Sequence, residues 1–250
     1  MRRNLKPCAL MLAAAVAVAA SVCPARGQGG RKLPVYEVLR ASTPPNIDGR
    51  LDEAAWAKAR PVGAFLLNGD ASPAPSKTEA KALYDDKFIY FSFSAEDENV
   101  WATMRERDQH LWEEEVVEVF LQADPSKGDY IEVEVNPLGT MLDIYLVDRR
   151  KNMPYRSWNS ANLKWAVQVA GTVDGRAGDR GWTCEIALPL EEVVTAANRP
   201  PRAGDRWRMN LFRVESRPAA WGAAWSPTMQ GDFHIPAAFG EIVFSDQSVP

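Results

Sequence analysis

Lys87-Phe88-Ile89-Tyr90-Phe91-Ser92-Phe93-Ser94-Ala95 alternates without a break. Successive side chains of an extended chain point to opposite faces, so Ile89, Phe91, Phe93 and Ala95 share one face and Phe88, Tyr90, Ser92 and Ser94 the other. The same period recurs in both directions along the sequence. Val117, Val119 and Leu121 lie opposite Val116, Glu118 and Phe120, and Ile131, Val133 and Val135 lie opposite Tyr130, Glu132, Glu134 and Asn136. Leu142, Ile144 and Leu146 are read as core, facing away from Asp143 and Tyr145. Trp182, Cys184, Ile186 and Leu188 form an inward set with Thr183 and Glu185 outward, and Trp207, Met209 and Leu211 form another with Arg208 and Asn210 outward. Turn-forming runs such as Asp70-Ala71-Ser72-Pro73 and Asp124-Pro125-Ser126-Lys127-Gly128-Asp129 punctuate these stretches, and helical periodicity is scarce. The pattern predicts an all-β fold, a single antiparallel β-sandwich of jelly-roll or immunoglobulin-like type, with short helices at Asp52–Ala57 and Leu190–Ala197.

The amino terminus carries a different signal. Met1-Arg2-Arg3-Asn4-Leu5-Lys6, the apolar run Ala9–Ala20 and the small-x-small pattern Ala25-Arg26-Gly27 read as a secretory leader over residues 1–27. The apolar run is about a dozen residues, short of the roughly 20 that span a bilayer, so no membrane span is expected. Residues 28–33 read as a flexible lead and 34–250 as one domain. Export removes Cys8 and Cys23, leaving Cys184 without an intramolecular disulfide partner. It also removes four basic residues and takes the formal net charge from −4 to −8. That balance argues against nucleic acid and anionic membranes as partners and for a secreted or periplasmic protein.

All nine tryptophans lie beyond the leader. Trp56, Trp165, Trp182 and Trp207 sit in apolar periodic contexts and read as core. Trp112, Trp158, Trp221 and Trp225 lie in loop-like contexts and are the ligand candidates; Trp112 and Trp225 are the expected platforms, while Trp158 and Trp221 lean to loop or interface packing. A pyranose presents an apolar C–H face and a rim of hydroxyls, so it calls for a flat aromatic surface beside carboxylates, Asn or Arg. Glu113-Glu114-Glu115 reads as a solvated turn. Glu118, six residues after Trp112, either reaches a ligand on that ring or forms a buried ion pair with an arginine such as Arg208 or Arg213.

Other chemistries are less well supported. No carboxylate pair is singled out for glycoside hydrolysis, and His110 and His234 accompany no recognisable nucleophile motif. A haem-binding sandwich with His or Met ligands is the electron-transfer alternative, without a Cys-x-x-Cys-His attachment motif. Glu96-Asp97-Glu98-Asn99 and Asp124–Asp129 offer hard oxygen ligands for calcium without matching a defined calcium loop.

Several segments, in order, resemble the family-nine carbohydrate-binding modules. They are Asn46-Ile47-Asp48-Gly49-Arg50-Leu51-Asp52-Glu53-Ala54-Ala55-Trp56, Tyr84–Phe91, Leu111–Leu121, Glu134–Thr140, Gly181–Pro189, Asn210–Arg213 and Trp225–Gly240. The resemblance spans residues 34–245. It implies a non-catalytic β-sandwich that clamps a sugar, with structural calcium at positions it leaves unknown and a plant-type polysaccharide of xylan or cellulose kind as partner. Carried over by position, it implies Trp112 with Glu118 as one half of the clamp and Trp225 as the other, with Glu134, Asn136 and Arg213 as further hydrogen-bonding groups. Glu113-Glu114 stands where relatives often have Asp-Asp.

Overall fold

Alternation becomes pairing in a computed structural model that describes residues 31–148, 153–155 and 158–250. The leader expected at 1–27 and most of the lead at 28–33 lie outside the described residues. Strands follow one another along the chain as β1 (Val35–Ala41), β2 (Leu66–Leu67), β3 (Thr78–Tyr84), β4 (Phe88–Ala95), β5 (Val116–Gln122), β6 (Tyr130–Val135) and β7 (Met141–Asp148). They continue as β8 (Met153–Tyr155), β9 (Lys164–Val169), β10 (Trp182–Pro189), β11 (Arg206–Glu215), β12 (Trp221–Ala224) and β13 (Gly240–Val249). The hydrogen-bonded order is β8-β7-β6-β5-β11-β13-β1-β3-β4-β10-β9, with β12 on β11 and β2 on β12. Among the described residues every ladder is antiparallel except the two made by β1, which runs parallel to β13 and to β3.

The sheet folds into two facing layers because its inward sets meet in one core. Val117, Val119 and Leu121 of β5, Ile131, Val133 and Val135 of β6, and Met209 and Leu211 of β11 come from one half. They pack with Ile89, Phe91 and Phe93 of β4 and Trp182, Cys184, Ile186 and Leu188 of β10 from the other. The all-β sandwich read from the alternation is the fold. Its outer faces, however, are covered over much of their area. Leu142, Ile144 and Leu146 do not join this core: they belong to a second apolar cluster, with Val116, Phe120, Tyr130, Phe212 and Phe239, on the far side of β5-β6-β7-β11. Period-two reasoning separates the two sets of β7 correctly but cannot tell which face is inward when both are apolar or covered.

The other outer face is closed by the Asn46–Trp56 segment. Glu185 points away from the central core, as the parity requires, yet it is fully buried. It accepts bonds from the Asp48 N–H at 3.0 Å, the Gly49 N–H at 2.8 Å and the Trp56 indole N–H at 2.7 Å. Gly49 adopts φ +83°, and a Cβ there would stand 2.7 Å from the backbone carbon of Val167, so glycine alone fits. Asn210 is likewise buried rather than outward: its amide donates to the Ser226 carbonyl at 2.8 Å and accepts from the Ser226 N–H at 3.0 Å. The first expected helix is a five-residue turn, Ala54–Lys58. The second is reduced to a 3-10 turn, Leu190–Glu192, because the following Val193-Val194-Thr195 is a β-branched run with low helix propensity.

Candidate functional site

The cleft lies on the outer face of β5-β6-β7-β11. Its floor follows from cross-strand register: Glu118 sits directly opposite Glu134, Phe120 opposite Glu132, Glu132 opposite Ile144 and Tyr130 opposite Leu146. Two loops raise its walls. The 3-10 turn Leu111–Glu113 carries Trp112, whose ring stacks on His110 at 4.4 Å and 22°. On the other side Trp221 opens β12, held opposite Glu215 by the ladder to β11, with Phe233 stacked on Phe212 at 4.2 Å. The result is a cavity of about 640 Å³ lined by Trp112, Trp221, Phe233, Glu118, Glu132 and Glu134 among others. That volume lies within the usual range for small-ligand sites.

Glu118, Glu132 and Glu134 bring carboxylate oxygens within 4.8 Å of one another, and all three residues are buried. Like charges facing each other across a ladder destabilise a sheet, so the grouping is an expense the fold does not need for its own sake. Burial, and next the Glu132 carboxylate, holds Glu118 well above the usual carboxylate range. Burial and then Glu118 do the same to Glu134, against a hydrogen bond from the Trp112 N–H. One oxygen of Glu118 and one of Glu134 have no hydrogen-bond partner. His234 joins the rim, its Nδ1 bonded to the Tyr130 hydroxyl at 2.8 Å and 3.9 Å from Glu132.

A family model for carbohydrate-binding family 9 matches residues 50–244. The chain belongs to that family. Three solved structures share the fold of this family-9 module. A Bacteroides uniformis protein of proposed carbohydrate-binding role has a TM-score of 0.65 and 17% identity, with 86% of this chain and 100% of that one covered. A family-9 module from Caldicellulosiruptor kristjanssonii in complex with cellotriose gives 0.61 and 15%, covering 86% and 95%. The Caldicellulosiruptor kristjanssonii module in complex with glucose gives 0.58 and 14%, covering 85% and 97%. No curated protein sequence matches this chain.

Of the residues carried over from the family, the structure brings three together. Trp112, Glu118 and Glu134 line the cleft. Asn136, Arg213 and Trp225 do not. Trp225 is only 4% exposed; its ring meets Tyr36 edge-on at 6.4 Å and its indole N–H donates to the Val62 carbonyl at 2.8 Å. The chain bends after β12 and turns this indole into the central core. Asn136 organises a turn, accepting from the N–H groups of Leu138 at 3.0 Å and Thr140 at 2.9 Å and donating to the Met104 carbonyl. Two residues outside the carried-over set also line the cleft. Glu132 was legible there, since it shares parity with Glu134; Trp221 was a ligand candidate that leaned to packing, because nothing in the sequence separates its loop-like signature from that of Trp225.

Arg213 serves a second acidic group. Its guanidinium lies 3.2 Å from Asp97 and 3.0 Å from Glu215, donates to the Glu96 carbonyl at 2.8 Å, and stands 5.1 Å from the Trp221 ring centre. Glu115 completes the group; it was expected in a solvated turn but is fully buried, accepting from the Trp101 N–H at 2.8 Å. Glu114 is buried too, bonded by the N–H groups of Thr103 and Met104. The Asp97–Glu115–Glu215 group has the donor chemistry for calcium, but Arg213 already supplies positive charge there, so the fit is poor. The other calcium candidate, Asp124–Asp129, closes on itself: Asp124 accepts from the Ser126 N–H and hydroxyl and pairs with Lys127.

Burial, then Glu215, raises the Glu115 carboxyl from 4.5 to about 9. A carboxyl with a raised folded pKa binds its proton more tightly in the native state, so its contribution to stability is full at acid pH and declines as pH rises. The melting temperature is therefore expected to fall as pH climbs from about 5 to 9, with Glu115→Gln flattening that slope. A slope unchanged in Glu115→Gln would assign the effect to other groups.

Proposed function

We propose that the cleft binds a polysaccharide of xylan or cellulose kind, or its chain ends, without cleaving it, and that the module works outside the cytoplasm. One observation carries this reading: two indoles, Trp112 and Trp221, wall a single cleft floored by buried carboxylates with unpartnered oxygens. Aromatic rings suit the apolar C–H faces of a pyranose, and carboxylates accept from its hydroxyls. The cellotriose and glucose complexes of the structurally similar Caldicellulosiruptor kristjanssonii module support a glucan-type ligand. The leader-like residues 1–27 support export, and no helix among the described residues is long and apolar enough to cross a membrane.

The placement of Glu118 and Glu134 supports binding rather than hydrolysis. Glycosidases place two carboxyl groups on either side of the scissile bond. Here Glu118 and Glu134 stand side by side on one face of the sheet.

Calorimetry with cello- and xylo-oligosaccharides tests the reading. Trp112→Ala and Trp221→Ala are each expected to weaken binding by about 2 kcal/mol, roughly thirtyfold, with little change in melting temperature. Equal binding by wild type and both variants would remove the aromatic walls from the site, and release of reducing sugar by the wild type would make the protein an enzyme.

A further inference from the structure

The carboxylates are more numerous and more deeply buried than neutral hydroxyls require. Glu118 and Glu134 are 2% and 1% exposed, face each other across the β5-β6 ladder, and each keeps one oxygen without a hydrogen-bond partner in the cavity wall. Beside a neutral diol such a pair keeps its protons, since burial and the charge of neighbouring carboxylates hold both carboxyls well above the usual range; a cation between them lets both ionise. Two kinds of cation meet that demand. Calcium takes six to eight oxygen ligands. Glu132 adds a third carboxylate within 4.8 Å, which is short of that number, and the floor and walls next to the three acids are Phe120, Ile144, Leu146, Val214 and the indoles. An ammonium group borne on a sugar ring fits better: its nitrogen donates up to three hydrogen bonds to the carboxylates while the ring carbons meet the aromatic faces.

We infer that the preferred ligand is an amino sugar with a free, protonated amine, such as β-1,4-linked glucosamine, with the ammonium seated between Glu118 and Glu134. The inference rests on the carbohydrate reading of the cleft and narrows it to a cationic member of that class. Such a chain shares the linkage and ring form of a cello-oligosaccharide, so the walls need not differ between the two. N-acetylation removes the charge and adds bulk, and it is expected to abolish the advantage.

Calorimetric titration of the whole protein with cellotriose, the glucosamine trimer and its N-acetylated form, in chelator at a pH that keeps the amines protonated, tests the idea. Charge-assisted hydrogen bonds are about twice as strong as neutral ones, so the glucosamine trimer is expected to bind at least about tenfold tighter than the other two. In Glu118→Gln and Glu134→Gln, checked for an intact fold by circular dichroism, that ratio is expected to collapse toward one. Equal binding of all three trimers overturns the amine preference and leaves the cleft a neutral-sugar site. A preference that persists in both variants also overturns it, since the amine is then read elsewhere. Binding that appears only with added calcium overturns it in favour of a metal on the three glutamates. Binding of none of the sugars removes the carbohydrate reading itself.

Discussion

Arg213→Ala is expected to destabilise the protein by about 3–5 kcal/mol, the range found when one partner of a buried ion pair is removed. The guanidinium is fully buried and lies between Asp97 and Glu215, with Thr78 and the Glu96 carbonyl as further partners. Without it two acids are left in low dielectric beside Glu115. They must either take up protons or draw in water. Lysine is a poor substitute because an ammonium cannot offer the planar fork that addresses both carboxylates. Denaturant unfolding monitored by tryptophan fluorescence measures the loss. A cost below about 1 kcal/mol would mean that water replaces the guanidinium and that the pair is not effectively buried. The same substitution removes the cation beneath Trp221, so residual folded protein is expected to bind sugar less tightly than wild type.

Trp225→Ala is expected to cost about 3–5 kcal/mol as well, by a different mechanism. Its indole fills core space between Tyr36 and Gly240, where even a Cβ on residue 240 would stand 2.5 Å from the ring. Truncation opens a cavity and strands the Val62 carbonyl, which accepts from the indole N–H. Trp225→Phe keeps most of the volume and loses the hydrogen bond, so a smaller loss is expected. Together with Trp221→Ala this separates the two roles. Trp225 variants are expected to lose stability and, while folded, to keep their sugar affinity; Trp221→Ala is expected to do the reverse. A stable Trp225→Ala that no longer binds sugar would return Trp225 to the clamp.

The strands, the parity of every residue on them, and the ordered motifs from Asn46 to Gly240 were legible because they depend on near neighbours. Glu118 and Glu134 could be placed on one face from alternation alone, and Glu132 with them. The sandwich followed from the scarcity of helical periodicity, and the family from the succession of segments. Three matters were not local. Leu142, Ile144 and Leu146 face the cleft cluster rather than the central core, because only the covering loops show that both sides of β7 are dry. Glu115 and Glu185 looked like surface acids until Trp101, in one case, and Asp48, Gly49 and Trp56, in the other, brought donors from distant positions. Trp221 and Trp225 share composition, spacing and neighbours. The ladder to β11 brings one beside Glu215 in the cleft, and the bend held by Asn210 turns the other into the core. Side-chain parity is a property of the extended backbone and needs only the sequence, whereas burial depends on what crosses over a face, and that is set by contacts between separate segments, 14 residues apart for Glu115 and up to 137 for Glu185.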